Sequence, residues 1–199
     1  LVDDLGCKAP GVYGTPFYET QNIDQLARNS MRFTQFYSAG CVCSPTRASV
    51  LTGRHPFRMR IDGANSGHLP PGEFTVAELC RELGYATGHF GKWHLGLEKP
   101  CHPLSRGFDE FYGFLGHGAH DYFELKKDDD HNSIWRNWER IDDTGYLTDN
   151  LGREAASFIQ RHKEEPFFLY LPFNAVHWPL QAPPEDVAEF DNENPDRNI

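Results

Sequence analysis

No run of apolar residues in this 199-residue chain is long enough to form a transmembrane helix, so a membrane span is not expected. Positive charge is also scarce. Lys and Arg number 19 against 29 Asp and Glu, a formal net charge of −10, which argues against nucleic acid or an anionic membrane surface as the main partner. An anionic small substrate is not excluded, because a buried site needs only local cations. The five cysteines (Cys7, Cys41, Cys43, Cys80 and Cys101) are too few for a disulfide framework and form no CxxC pair. Cys41-x-Cys43 could be half of a metal site, but no second Cys/His pair stands at zinc-like spacing. Internal repeats and low-complexity tracts are absent. No leader precedes Leu1, so the sequence neither supports nor excludes secretion.

What is present reads as a layered α/β chain large enough to bury a substantial core. Residues 1–6 (Leu-Val-Asp-Asp-Leu-Gly) look like the last residues of a buried strand, and 191–196 like a loop or a cut edge. Residues 23–29 suit a short helix and 31–37 an aromatic strand. Thr75 and Glu78 form a capping box for a helix whose inner face is expected to carry Val76, Leu79, Cys80 and Leu83, with Gly84 as the stop. Residues 86–90 then read as a strand. Leu147, Leu151, Ala155, Phe158 and Ile159 keep helical spacing to about Lys163. The apolar run 167–171 reads as a strand covered on both faces. This alternation predicts a mainly parallel sheet between helices, with ligands beyond the carboxyl ends of the strands. Asp3-Asp4, Lys92-Trp93-His94 and His177 each follow such an end.

The most informative segment is Cys43-Ser44-Pro45-Thr46-Arg47, followed by Leu51-Thr52-Gly53-Arg54. Ser44 is expected as N-cap, Pro45 as the first helical residue and Gly53 as the C-terminal cap. Helix N–H groups would then point at whatever Cys43 holds, an anion-binding arrangement with a nucleophile built in. Arg47 lies one turn on, on the same face.

Cys-x-Pro-x-Arg followed by Thr-Gly-Arg resembles the signature of the formylglycine-dependent sulfatases. Gly91-Lys92-Trp93-His94-Leu95-Gly96 is similar to that family's second signature, and Phe173-Asn174-Ala175-Val176-His177-Trp178-Pro179-Leu180 to a further one. His102-Pro103-Leu104 and Gly107-Phe108-Asp109-Glu110 resemble the arylsulfatase and N-acetylgalactosamine-6-sulfatase branch and read as scaffold. The resemblance runs through nearly all 199 residues. It implies an alkaline-phosphatase-like αβα sandwich of which 1–199 is the N-terminal portion of the catalytic domain, truncated at both ends.

The resemblance also implies a site. Cys43 would be oxidised to formylglycine by a formylglycine-generating or anaerobic sulfatase-maturating enzyme, and its hydrate would attack the sulfur of an aryl or carbohydrate sulfate ester. Asp3, Asp4 and position 43 would bind one Ca²⁺. Arg47 and His94 would hold the hydrate, while Lys92 and His177 would contact sulfate, His177 helping to protonate the leaving alcohol. Further metal ligands and a second lysine are expected downstream, and Asp191-Asn192 lacks their context. A periplasmic, secreted or lysosomal protein is expected on the same ground. Residues 113–140 would choose the substrate, through His117, His120, Tyr122, Trp135 and Trp138, with Ala119 where some relatives carry serine.

Each residue also has an ordinary reading: a solvated Asp pair, a small core cysteine, a surface arginine, a loop lysine, a structural histidine. Two other functions stay open, a phosphonate or phosphate ester hydrolase using the same nucleophile, and a non-catalytic sulfoglycan-binding protein with Cys43 unmodified.

Overall fold

The computed structural model describes residues 1–15, 18–116 and 121–191. They fall into two compact units, one of Leu1–Asp3 with Ser38–Gln181 and one of Asp4–Tyr37 with the segment from Ala182 onward. His117, Ala119, His120 and Asn192 lie outside the described residues.

The larger unit is built on a five-stranded open sheet. Its elements are helix α2 (Cys43–Thr52), helix α3 (Val76–Glu82), strand β1 (Ala86–Lys92), β2 (Glu110–Phe114), β3 (Ile134–Arg136), β4 (Glu139–Ile141), helix α4 (Leu147–His162) and β5 (Phe167–Tyr170). The strand order is β4-β3-β2-β1-β5. β1 runs parallel to both neighbours, whereas β2–β3 and β3–β4 are antiparallel. The expected mainly parallel sheet is therefore a mixed one. Its centre is parallel, and a short hairpin, which needs no crossover helix, extends it on one side.

Helices cover both faces. Phe111, Phe168 and Tyr170 point toward α2 and α3, packing with Ala48, Leu51, Ala77, Trp93 and Phe108. Phe90, Tyr112, Phe114, Phe167 and Leu169 point toward α4, meeting Leu147, Leu151, Ala155 and Phe158. This alternation is the two-residue period of the strands meeting the 3.6-residue period of the helices. It gives three layers, as the α/β reading expected. β5 is only half-buried up to Tyr170, because it lies at the edge of the sheet.

Local signals resolve well where backbone chemistry is involved. The Thr75 hydroxyl accepts from Glu78 N–H (3.0 Å) and Glu78 accepts from Thr75 N–H (2.7 Å), the reciprocal capping box. Gly53 ends α2 and Gly84 follows α3, both with positive φ. Side-chain facing resolves less well. Ala77 is the buried residue of α3, while Leu79 and Leu83 are exposed, and Ile159 of α4 is exposed too. Ser44 is not the N-cap. The helix starts at Cys43, Val42 occupies the cap position with extended backbone, and the Ser44 hydroxyl bonds elsewhere.

The smaller unit holds helix α1 (Gln21–Arg28), close to the expected 23–29, and a helix α5 (Pro184–Asp191) where no helix was foreseen. Residues 31–37 are not a strand: Met31, Phe33, Phe36 and Tyr37 are exposed. Among the described residues no strand pairs with them, and aromatic β propensity without a ladder partner does not make a strand. No helix among the described residues is long and apolar enough to cross a membrane.

Candidate active site

Three sequence-distant segments meet at the carboxyl end of the parallel strands. The first is Leu1–Asp3, which runs beside the chain leaving β5. Val2 bridges Phe173 in parallel, Asp3 N–H donates to Ala175 O, and Val176 N–H donates to Asp3 O, both at 2.9 Å. Asp3 is thus held through both its N–H and its carbonyl by backbone pairing with one segment, and its carboxylate is buried. Asp4 is exposed, with φ 58°, and is described with the smaller unit.

The second segment is the end of β1. Gly91 and Gly113 stand opposite each other in register, with φ of 136° and 152°. A Cβ on Gly91 would sit 2.1 Å from Pro172 O, and one on Gly113 2.0 Å from Gly91 O, so only glycine admits the approach. Lys92 follows and is fully buried. His94, two residues on, takes a left-handed φ of 57°, a conformation that costs about 1 kcal/mol or more for a non-glycine residue. Its Nε2 lies 3.3 Å from Asn65 Oδ1, and its carbonyl accepts from the Ser44 hydroxyl (2.8 Å), which also donates to Ala64 O (2.7 Å). Ser44 therefore ties the start of α2 to the end of β1.

The third segment is the first turn of α2, with Cys43 at its head and Arg47 one turn on. Arg47 is buried, not a surface residue. One of its terminal nitrogens lies 3.1 Å from Asp3 Oδ1 and the other donates to Lys92 O (2.7 Å). Lys92 Nζ donates to Asp3 Oδ2 (2.6 Å) and lies 3.4 Å from Cys43 Sγ. Burial alone would raise the Asp3 carboxyl, but Arg47 and Lys92 outweigh it and hold it below its usual value. Burial pushes the Cys43 thiol up, with Lys92 pulling against the rise and Asp3 adding to it.

His177 completes the group. Its imidazole, the Asp3 carboxylate and the Cys43 sulfur offer ligand atoms within 4.8 Å of one another. Its Nδ1 is 2.6 Å from Trp178 O. Tyr122, read from the sequence as a stacking residue, is buried instead, and its hydroxyl donates to both Asn174 O (3.0 Å) and His177 O (2.8 Å). It holds the His177 loop. Trp138 is exposed but stacks on His102 at 4.1 Å, with Lys99 Nζ 5.6 Å from its ring centroid, so its ring already has partners. Trp135 packs against the core.

Arg47 and Lys92 face one buried carboxylate, Asp3, so the centre holds a surplus of positive charge beside Cys43 and the N-terminus of a ten-residue helix. That environment stabilises an anion. As a metal site it offers one buried carboxylate, a thiol and an imidazole. A hard cation asks for six to eight oxygens, so the Asp3 carboxylate, with an oxygen in place of the thiol, fits part of a calcium shell. A cavity of about 310 Å³ opens beside His94 and Ser44, bounded by Asn65, His68 and His131, which the sequence reading did not single out. Their loops carry no periodic signal, and only Gly63 and Gly67 around Asn65 hinted at a turn.

A sequence model of the family described as Sulfatase matches residues 1–199. N-acetylgalactosamine-6-sulfatase of Canis lupus familiaris is 36% identical over 208 residues, covering 92% of this chain and 40% of that protein. Human arylsulfatase D is 45% identical over 129 residues, covering 57% of this chain and 22% of that protein. Among solved structures, Ps i-CgsB superposes with a TM-score of 0.88 at 38% identity, over 98% of this chain and 48% of that one. BT4656, solved in complex with its substrate D-glucosamine-2-N,6-O-disulfate, superposes at 0.83 with 27% identity, over 96% of this chain and 36% of that one. The chain thus spans 40% of the length of the N-acetylgalactosamine-6-sulfatase it matches.

Proposed function

Because this chain belongs to the sulfatase family, we propose that the protein is a sulfuric ester hydrolase that removes sulfate from an aryl or carbohydrate sulfate ester at the centre around Cys43. The observation that carries the reading is the buried excess of positive charge: Arg47 and Lys92 against Asp3, at the head of α2. A sulfate monoester placed there would share Lys92 and the helix N-terminus with Asp3, and charge moving onto the leaving oxygen would be stabilised by fixed groups. His177 would give that oxygen its proton, a role supported by the contact of its Nδ1 with the Trp178 carbonyl and by the bond from Tyr122 to its own carbonyl. Arg47 is too deeply held by Asp3 and Lys92 O to move, so it orients the group at position 43.

Cys43 as a half-buried thiol, its pKa pushed up by desolvation, is a weak nucleophile. Oxidised to formylglycine by a maturating enzyme, position 43 would supply a hydrated aldehyde, one hydroxyl for attack on sulfur and the other for expelling the sulfate. Asp3 and Asp4 would hold a calcium ion together with that position, and the ion would supply Lewis acidity. The modification and the Asp4 assignment rest on the family, and Asp3 and position 43 also on the donor set just described.

The test compares sulfate release with phosphate release from matched aryl esters by the full-length protein and its Cys43→Ala variant. Sulfate release that exceeds phosphate release and disappears in the variant is the expected result. Faster phosphate release, or activity indifferent to Cys43→Ala, refutes the reading.

A further inference from the structure

We propose that the cavity beside His94 seats the alcohol part of the ester, and that Asn65, His68 and His131 select a single polar ring of monosaccharide size. The proposal rests on the sulfatase reading and deepens it.

Position comes first. His94 and Ser44 both line the cavity, and Ser44 is the residue next to Cys43, so a group bound there adjoins the candidate centre through two shared elements. Size comes next. At about 310 Å³ the space stands at the lower end of small-molecule sites, roughly 300–1,000 Å³, enough for one saccharide ring. The lining decides the chemistry. Asn65, His68 and His131 line the cavity, are exposed, and offer an amide and two imidazoles, while Leu97 and Leu115 are its main apolar side chains. A ring bearing several hydroxyls on its edges and C–H groups on its faces matches that set of donors, acceptors and apolar walls. A steroid carries few groups to meet those donors and acceptors.

The walls are also built for close approach. A Cβ on Gly96 would fall 2.7 Å from Cys101 Cβ and 3.1 Å from His68 Cβ, and one on Gly116 would meet His131 O at 2.5 Å. These contacts fix where His68 and His131 stand. Asn65 adds a link, because it and His94 both line the cavity and its Oδ1 lies 3.3 Å from His94 Nε2. Occupancy of the cavity is thereby coupled to the orientation of a candidate catalytic ring.

The experiment is calorimetric binding to full-length protein carrying Cys43→Ala, which prevents turnover, with a monosaccharide 6-sulfate, phenyl sulfate, a steryl sulfate and inorganic sulfate as ligands. The monosaccharide sulfate is expected to bind at least about tenfold more tightly than inorganic sulfate. H68A and H131A together should remove most of that advantage and leave the affinity for inorganic sulfate within about twofold. Both side chains are exposed, and an unchanged melting temperature certifies the fold. Equal affinity for sugar sulfate and inorganic sulfate overturns the proposal, as does an advantage that survives the double substitution. A steryl or phenyl sulfate gaining the same histidine-dependent advantage overturns the choice of ring. Failure of the sulfatase reading shows elsewhere, as absent sulfate release by the unsubstituted protein, so the two failures are distinguishable.

Discussion

The two faces of the sheet do different work with similar packing. On the α4 face, Phe90, Tyr112, Phe114, Leu147, Leu151, Ala155 and Phe158 form an almost wholly apolar layer. On the α2 and α3 face, the apolar residues share their layer with buried His89, Arg47 and His102, and Lys92 lies buried at the strand end beyond it. His89 stands among Trp93, Phe108, Phe111 and Tyr170 with ring centroids 5.1–5.3 Å away, and burial holds it neutral well below its usual pKa. Buried polar groups cost stability unless fully paired. The polar face accepts that cost at the place where the chemistry is proposed, and the α4 face supplies burial without it.

The sharpest way to break this comparison is to remove function and stability separately. Cys43→Ala should lower kcat/KM for an aryl sulfate by at least about a thousandfold while moving the unfolding free energy by less than about 1 kcal/mol. A comparable loss of stability would make Cys43 a packing residue. On the opposite face, Phe158→Ala should cost about 3–5 kcal/mol in denaturant unfolding. KM of the folded fraction should stay within about twofold, and a large change in KM would join the two faces functionally.

Smaller effects refine the picture. Thr75→Ala removes the hydroxyl half of the capping box and should cost about 1 kcal/mol, measured by denaturant unfolding, with no change in turnover. The smallest effect near neutrality belongs to His102, whose burial lowers its pKa to about 4. Unfolded, it titrates near 6.5. The unfolded state therefore binds the proton first, and stability contributed above pH 6.5 declines as pH falls toward 4. His102 Nδ1 accepts from Leu104 N–H, which protonation forbids. His102→Asn keeps an acceptor and should flatten this acid limb in pH-dependent unfolding. An unchanged limb would assign the acid sensitivity to other groups.

Much of this was legible in the sequence because short-range chemistry writes it there. The capping box, the α4 repeat and β1 follow from local patterns. Asp3, Cys43, Arg47, Lys92 and His177 were each marked by motif, and the fold brings their side chains together. What stayed hidden depends on distant partners. Tyr122 looked like an exposed ring because nothing local tells that its hydroxyl meets carbonyls more than fifty residues away. Ser44 fits an N-cap by type, yet its bonds run to Ala64 and His94. The antiparallel hairpin β3–β4 is too short to print a period, and the aromatic run 31–37 carries strand propensity without a partner strand among the described residues.

The most direct measurement of the central claim is the mass of the tryptic peptide spanning 33–47, taken from the protein in its own host. It holds Cys41 and Cys43 between cleavage sites at Arg32 and Arg47. Oxidation of Cys43 to formylglycine lowers the mass by about 18 Da, and the account predicts that loss, located at position 43 by fragmentation. A peptide of unchanged mass with an intact Cys43 thiol, in protein that still hydrolyses sulfate esters, would contradict it.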